Sequence, residues 1–175
     1  MPKHMEGYRP KRDPNATTYI FKVALAGQKS IWRRIAMRSD QTLDDLHSAI
    51  FRAFDRFDEH LYSFFFPFPG MKRPTRMGDG IEYTSPVMID EAERYSGEPV
   101  HNAGLTTIGS LRLSVGQTFR YLFDFGDEWW HDVTVEQTDG EPSSRRYSRI
   151  IKRHGASPPQ YPDVEDDDDE PMTGS

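Results

Sequence analysis

Apolar and polar residues alternate most clearly along residues 119–135, where two alternating runs flank an acidic turn. The members of the two runs recur at every second position and are Phe119, Tyr121, Phe123 and Phe125, followed by Trp129, His131, Val133 and Val135. Alternation of this kind is typical of half-buried strands. Gly126-Asp127 lies between the runs, and glycine readily adopts the positive φ that a tight turn requires. The pattern predicts a β-hairpin with aromatic walls that presents Asp124, Asp127, Glu128 and His131 near one end.

An earlier segment shows the same alternation and predicts a second hairpin. Its first run is Tyr19, Phe21, Val23 and Leu25, its second run is Ile31, Arg33, Ile35 and Met37, and Gly27-Gln28-Lys29 separates them. Trp32, Arg34 and Arg38 then share the opposite face of the second strand. Two hairpins favour antiparallel pairing.

The residues that follow predict one amphipathic helix. Thr42 is a suitable N-cap, and Asp45, three residues later, completes a capping box. Six apolar side chains then fall on one arc of the helix: Leu43, Leu46, Ile50, Ala53, Phe54 and Phe57. His47 lies at the edge of this arc, where we expect a half-covered side chain. The helix is expected to end near residues 55–57, and residues 60–66 to form the next strand, with His60 at its start.

Periodicity disappears over residues 67–104, which Pro and Gly interrupt repeatedly. We expect loops with short ordered pieces here, and a last strand or short helix around residues 145–153. Together these elements predict an α+β fold: a mainly antiparallel sheet built from hairpins, with one principal amphipathic helix packed on one face.

Length and charge divide the chain into three parts. Its 175 residues suit a single domain. Residues 1–16 predict a flexible basic arm, residues 17–160 a single α+β domain, and residues 161–175 a disordered acidic tail. Seven of the 28 acidic residues lie in this tail, so the other 21 nearly balance the 22 Lys and Arg residues. The net charge of −6 therefore belongs to the tail, and the body is close to neutral.

The composition also excludes some chemistry and indicates a compartment. The chain has no cysteine, which excludes disulfides, thiolate metal ligands and cysteine nucleophiles. We find no signal peptide near the N-terminus, and the longest apolar run is far too short to span a bilayer. The sequence therefore predicts a cytoplasmic protein without a membrane partner.

One candidate site is a metal or acid–base cluster drawn from Asp124, Asp127 and His131, with His47 and His60 as further members. Imidazole and carboxylate groups suit zinc, manganese or iron, and they also activate water for hydrolysis. No paired-ligand spacing such as His-x-x-x-His accompanies them. The alternative is structural: Asp127 forms the turn, and Asp124 and His131 bond across strands. No cofactor is assigned, and a divalent metal is the cofactor that this set could hold.

A second candidate site consists of Arg33, Arg34 and Arg38, for which we consider nucleic-acid contact. Arginine binds phosphate, and neighbouring aromatic side chains stack on bases. The alternative is a solvated surface with ordinary ion pairs. The near-neutral body does not favour nucleic acid on charge alone.

Several of these residues belong to blocks that resemble the Ri-plasmid ORF-3-like family, a group of bacterial and archaeal domains of unknown biochemical role. The blocks lie within residues 18–159 and are Ile31-Trp32-Arg33-Arg34-Ile35, Thr42-Leu43-x-x-Leu46-His47-x-Ala49-Ile50, His60-Leu61-Tyr62-x-Phe64, Phe123-Asp124-Phe125-Gly126-Asp127-x-Trp129-x-His131-x-Val133 and Ala156-x-Pro158-Pro159. Beyond the last block the chain departs from the family and runs into its acidic tail. The resemblance implies an α+β fold and a link to plasmids and mobile elements, and it supplies no reaction.

Our leading hypothesis is a non-catalytic ligand- or partner-binding module. Its groove lies between the central hairpin and the helix and is lined by His47, His60, Asp124, Asp127, Trp129 and His131. The first alternative is a metal-dependent hydrolase that uses Asp124, Asp127 and His131. The second alternative is an accessory nucleic-acid-binding protein of a mobile element. The sequence identifies neither the ligand nor the oligomeric state.

Overall fold

One eight-stranded sheet accompanied by short helices forms the described part of the protein. The computed structural model describes residues 11–95, 99–141 and 148–162. The strands and α-helices in these ranges are β1 (Thr18–Leu25), β2 (Gln28–Arg38), α1 (Leu43–Ala53), β3 (Tyr62–Phe66), β4 (Ile81–Thr84), α2 (Ile89–Tyr95), β5 (Val100–Asn102), β6 (Thr118–Phe123), β7 (Trp129–Gly140) and β8 (Arg149–His154). Most of the predicted basic arm (1–10) and most of the predicted acidic tail (163–175) lie outside the described residues, as do residues 142–147.

The two predicted hairpins are present, and they join edge to edge. The strand order is β5-β4-β3-β6-β7-β1-β2-β8. Strand β1 pairs with β2, and β6 pairs with β7, in antiparallel fashion. Strand β7 also pairs with β1, so the second hairpin continues the sheet of the first. The segment around residues 145–153 contains β8, which adds to the free edge of β2.

The predicted fold class, a mainly antiparallel sheet with one principal amphipathic helix, was wrong. The sheet is mixed, because β5 runs parallel to β4, and two short helices of 11 and 7 residues replace a single principal one. A parallel neighbour requires a crossover connection, to which residues 85–95 contribute a 3-10 turn and α2. Strand β5 has three residues, which is too few for alternation to be visible in the sequence.

Helix α1 begins at the predicted capping box and covers the inner face of the sheet. The Thr42 side chain accepts a hydrogen bond from the Asp45 amide (3.1 Å), and the Asp45 carboxylate accepts one from the Thr42 amide (2.9 Å). The buried side chains of the helix are Leu43, Leu46, His47, Ala49, Ile50 and Ala53. They join the core formed by inward-facing residues of the strands, such as Phe21, Ile35 and Val133.

The end of α1 differs from the predicted pattern. Its last helical residue is Ala53, and Asp55 takes a left-handed conformation with φ of 54°, which redirects the chain. Phe54 remains buried, whereas Phe57 leaves the apolar arc and is 68 % exposed. His47 was predicted to be half covered, but only 4 % of it is exposed, because its ring packs flat against Tyr62.

We predict that Thr42→Ala destabilises the protein by about 1 kcal/mol, because it removes the acceptor for the Asp45 amide. Thermal unfolding followed by circular dichroism should show a melting temperature lower by roughly 2–4 °C, the shift expected for about 1 kcal/mol in a chain of this length. Ser114→Ala, at an exposed loop position, is the matched control and should melt with the wild type. Equal melting temperatures for the two variants would contradict the importance of this cap.

Candidate functional site

His47 lies in a fully satisfied polar network between α1 and the central strands. Its Nδ1 is 2.6 Å from the Tyr121 hydroxyl, and its Nε2 is 3.1 Å from a Glu59 carboxylate oxygen. Burial raises the pKa of Tyr121 well above its ordinary value, so its hydroxyl stays protonated and donates to Nδ1. The Nε2–H then donates to Glu59, and this hydrogen bond lowers the pKa of the Glu59 carboxyl. His47 therefore positions core groups and offers no free nitrogen to a ligand.

His60 and Asp124 meet at the half-exposed end of the central hairpin. The His60 Nε2 lies 3.5 Å from an Asp124 carboxylate oxygen and 2.8 Å from the Tyr161 hydroxyl. The Tyr161 hydroxyl in turn donates to Asp58 at 3.0 Å. These contacts tie residues that follow β8 to the strand ends, which gives His60 and Asp124 a structural role.

We predicted that Gly126-Asp127 forms the turn of the central hairpin, but the side chain and backbone of Asp124 build it. The Asp124 Oδ1 accepts hydrogen bonds from the amides of Gly126 (2.9 Å) and Asp127 (3.2 Å). The positive φ values occur at Asp124 (63°) and Glu128 (52°). Aspartate tolerates this region because its short side chain can bond to the nearby backbone. Asp127 stands exposed at the tip of the turn.

His131 is buried deep beneath the hairpin, away from Asp127. Only 1 % of it is exposed, and its Nδ1 lies 3.3 Å from the Tyr121 carbonyl oxygen. Burial, reinforced by the charge of Arg56, lowers the pKa of His131 to about 3, so the ring is neutral. Since a carbonyl only accepts, Nδ1 carries the proton and Nε2 is left as an acceptor. This Nε2 has no hydrogen-bond partner among the described residues.

Arg56, which sequence patterns did not single out, lies beside Trp129. Its guanidinium carbon is 4.2 Å from the centre of the Trp129 ring and 5.5 Å from that of Phe123. The residue is 7 % exposed, and burial lowers the pKa of its guanidinium. Within the described ranges, its Nη1 and Nη2 have no hydrogen-bond partner, and neither does the Trp129 Nε1.

These atoms form a cluster that we name the Arg56 cluster, consisting of Arg56, Trp129 and His131. In the described part of the chain, every buried side-chain nitrogen or oxygen without a partner belongs to it. Residues Trp129 and His131 share one face of β7 because they are two positions apart. The sequence feature that could have identified Arg56 is its position between Phe54 and Phe57, which places a cation among aromatic side chains.

The six residues predicted to line one groove therefore separate into different environments. Trp129 and His131 belong to the Arg56 cluster, His60 pairs with Asp124, His47 is satisfied in the core, and Asp127 is at the turn tip. Across residues 11–95, 99–141 and 148–162, no group of three or more His, Asp or Glu residues is placed to hold a metal ion. The hypothesis of a metal-dependent hydrolase required Asp124, Asp127 and His131 to lie close together, and these three residues are in different environments.

Two of the three arginines proposed for nucleic-acid contact are buried. Arg33 is 2 % exposed and donates to the Ala53 carbonyl (2.8 Å) and the His154 carbonyl (2.9 Å). Arg38 is 5 % exposed and donates to Asp40 at 3.0 Å. Arg38 lies on the outer face like Arg34 but is covered there, and only Arg34 is substantially exposed, where it pairs with Glu136 at 2.9 Å.

The mixed sheet defines the class: a small α/β sheet domain whose described residues include a buried cluster of unpaired polar atoms. The chain belongs to the plasmid pRiA4b ORF-3-like protein family, whose model matches residues 17–166. The family expected from the sequence blocks is therefore confirmed. None of the helices in the described residues is long and apolar enough to cross a membrane.

Two similar proteins lack an assigned activity. The uncharacterised protein y4hQ of Sinorhizobium fredii is 25 % identical over 108 residues, which are 62 % of this chain and 47 % of that protein. The chain thus spans about half the length of this curated relative. A crystal structure of the protein of unknown function MM3350 from Methanosarcina mazei Go1 has a TM-score of 0.63 at 23 % identity, covering 83 % of this chain and 73 % of that one. This likeness shows a shared fold.

We predict that His131 makes the stability of the protein fall between pH 7.5 and pH 5.5. The unfolded chain binds a proton near the ordinary histidine pKa of about 6.5, whereas the folded chain does so only near pH 3. Stability from this group is therefore complete above pH 6.5 and is lost as the pH falls toward 3. Urea unfolding measures the free energy of unfolding at both pH values. Between pH 7.5 and pH 5.5 this free energy should fall by about 1.4 kcal/mol more in the wild type than in His131→Gln.

The control for this comparison is His101→Gln, which changes an exposed histidine. Its pH profile should run parallel to that of the wild type, because other titrating groups contribute equally to both proteins. A His131→Gln profile that also runs parallel to the wild type would contradict the buried, neutral state of His131.

Proposed function

We propose that this protein is a non-catalytic ligand-binding module and that its ligand is a small oxyanion held by the Arg56 cluster. The observation that carries the proposal is the concentration of unpaired, buried polar atoms in this cluster: two from Arg56 and one each from Trp129 and His131. Buried polar groups in folded proteins are nearly always paired. Four such atoms on three neighbouring side chains indicate a place for a complementary group.

Charge favours an anion over a neutral occupant. A buried guanidinium costs several kcal/mol unless a counter-charge compensates it. The Trp129 and Phe123 rings offset part of this cost through cation–π contact. The Asp124 carboxylate also attracts Arg56, but among the described residues no carboxylate is close enough to form an ion pair with it. Water can accept the hydrogen bonds of Arg56, but it supplies no negative charge.

The donors and acceptors of the cluster narrow the class of anion. The free atoms of Arg56 and Trp129 only donate hydrogen bonds, whereas the His131 Nε2 accepts one. A matching ligand has at least two acceptor oxygens and one hydroxyl. Hydrogen carbonate and a protonated phosphate have this pattern, and a simple carboxylate such as acetate lacks the hydroxyl. We therefore expect hydrogen carbonate or phosphate to bind more tightly than acetate.

The same groups support binding over catalysis. A general base works best when its pKa is near the operating pH, and burial holds the pKa of His131 at about 3. The ring of Tyr121 lies 5.1 Å from that of His131, and the Tyr121 hydroxyl stays protonated, since burial raises its pKa. Near neutral pH, neither group of this interior site exchanges protons readily, which suits a site that holds its ligand unchanged.

We predict that hydrogen carbonate or phosphate raises the melting temperature of the wild type and does not raise that of Arg56→Met. Binding to the folded state alone stabilises it by about 2.7 kcal/mol at a ligand concentration 100 times the dissociation constant. Differential scanning fluorimetry at constant ionic strength, with chloride as the reference anion, measures this effect. Arg52→Met, which changes an exposed arginine in the last turn of α1, is the matched control and should respond as the wild type does.

Tryptophan substitutions test the position of the ligand. Trp129→Phe removes the Nε1 donor and should weaken binding about tenfold, the cost of one net hydrogen bond of about 1.4 kcal/mol. Trp130→Phe, on the opposite face of β7, should leave the affinity unchanged. If no oxyanion shifts the melting curve of the wild type, or if Arg56→Met responds as strongly, the cluster holds water only and the proposal fails.

A further inference from the structure

The outer face of the sheet carries an organised row of positive charge. The register pairs Lys22 on β1 with Arg34 on β2, and Arg34 with Lys152 on β8. In the next row, Trp32 pairs with His154. We name Lys22, Trp32, Arg34, Lys152 and His154 the cationic face. The neighbours Val23 and Ile35 face the core, so Lys22, Arg34 and Trp32 point to the outer face because adjacent strand residues alternate. Their partners Lys152 and His154 on β8 lie on that face as well.

This arrangement is unfavourable for stability alone. Like charges directly opposite each other on adjacent strands are destabilising. Glu136 compensates Arg34 at 2.9 Å, but within the described residues neither Lys22 nor Lys152 forms an ion pair. Charges on β8 also protect a sheet edge from aggregation. That reason does not apply to Lys22 and Arg34, because β1 and β2 are interior strands.

An aromatic platform lies among these cations. The Trp32 and His154 rings are stacked, with centres 5.3 Å apart and an angle of 5° between their planes. The Lys22 amine is 4.9 Å, the Arg34 guanidinium carbon 5.1 Å and the Lys152 amine 5.7 Å from the centre of the Trp32 ring. Half-exposed Trp32 and exposed His154 therefore present a stacked pair of rings with three positive groups around Trp32.

We propose that the cationic face binds single-stranded nucleic acid. Phosphates contact Lys22, Arg34 and Lys152, and an unpaired base stacks on the Trp32–His154 platform. Such a combination of backbone-tracking cations and aromatic stacking is the usual basis of single-strand binding. In a duplex the bases are stacked on one another, so a duplex contacts only the cations through its phosphates and should bind more weakly than a single strand. The net charge of −6 does not oppose this, because charges beyond about 10 Å are largely screened at 0.1 M salt.

Fluorescence anisotropy with a labelled twelve-nucleotide single strand, from 50 to 200 mM KCl, tests this proposal with the full chain. Affinity should fall as salt rises. The double variant Lys22→Ala/Lys152→Ala should reduce the slope of log affinity against log salt by about 1.4, since each phosphate contact on a single strand contributes about 0.7. Trp32→Ala should weaken binding about 5- to 150-fold at fixed salt, with partial recovery in Trp32→Phe.

The matched control is Arg52→Ala/Arg94→Ala, which removes two exposed cations outside the cationic face. Its slope of log affinity against log salt should equal that of the wild type. Arg56→Met should also have the wild-type slope, because the Arg56 cluster faces inward. The proposal is overturned if the wild type shows no salt-dependent binding at 50 mM KCl, if both double variants lose affinity equally, or if duplex binds more tightly than single strand. Binding to phosphatidylserine vesicles without binding to the oligonucleotide would also overturn it.

Discussion

The pairing of β1 with β7 is the constraint on which the rest of the structure depends. It places β1 in the interior of the sheet, between β7 and β2, and so fixes which side of each neighbouring strand faces α1. Because adjacent residues on a strand point to opposite faces, Arg33 becomes a buried structural group whereas Arg34 reaches the surface. Trp129 and Trp130 are divided in the same way. A slip of one residue would exchange these roles throughout the sheet.

Few helical residues cover the inner face of the sheet, and this explains why polar side chains occur in the core. Helix α1 has only 11 residues, so segments beyond its end also contribute to the interior. Arg33 donates to the Ala53 carbonyl at the helix terminus, where carbonyl groups lack helical partners. Arg56 enters the core after the left-handed turn at Asp55. Polar side chains thus line one end of the core, and most of them are paired there.

Local signals predicted the local structure. The hairpins follow from alternation, and the capping box follows from Thr42 and Asp45, because both depend on residues close in the chain. The parallel contact of β5 with β4 depends on a crossover, for which no nearby residue provides a signal. The site also required tertiary information: Trp129 and His131 were identified from their hairpin, but their partner Arg56 is more than 70 positions earlier. Sequence distance limited the prediction of the site, and the three-residue length of β5 concealed the parallel strand.

The two proposed sites hold their cations in different dielectric environments, and this separates them physically. Arg56 is buried, so its attraction for an anion acts in a medium that salt screens weakly. Lys22 and Lys152 face solvent, where the interaction with phosphate depends on the release of counterions and weakens steeply as salt rises. The response to ionic strength therefore identifies the face that a given anion occupies. A phosphate that binds equally at low and moderate salt belongs to the interior cluster, whereas one displaced by salt belongs to the outer sheet.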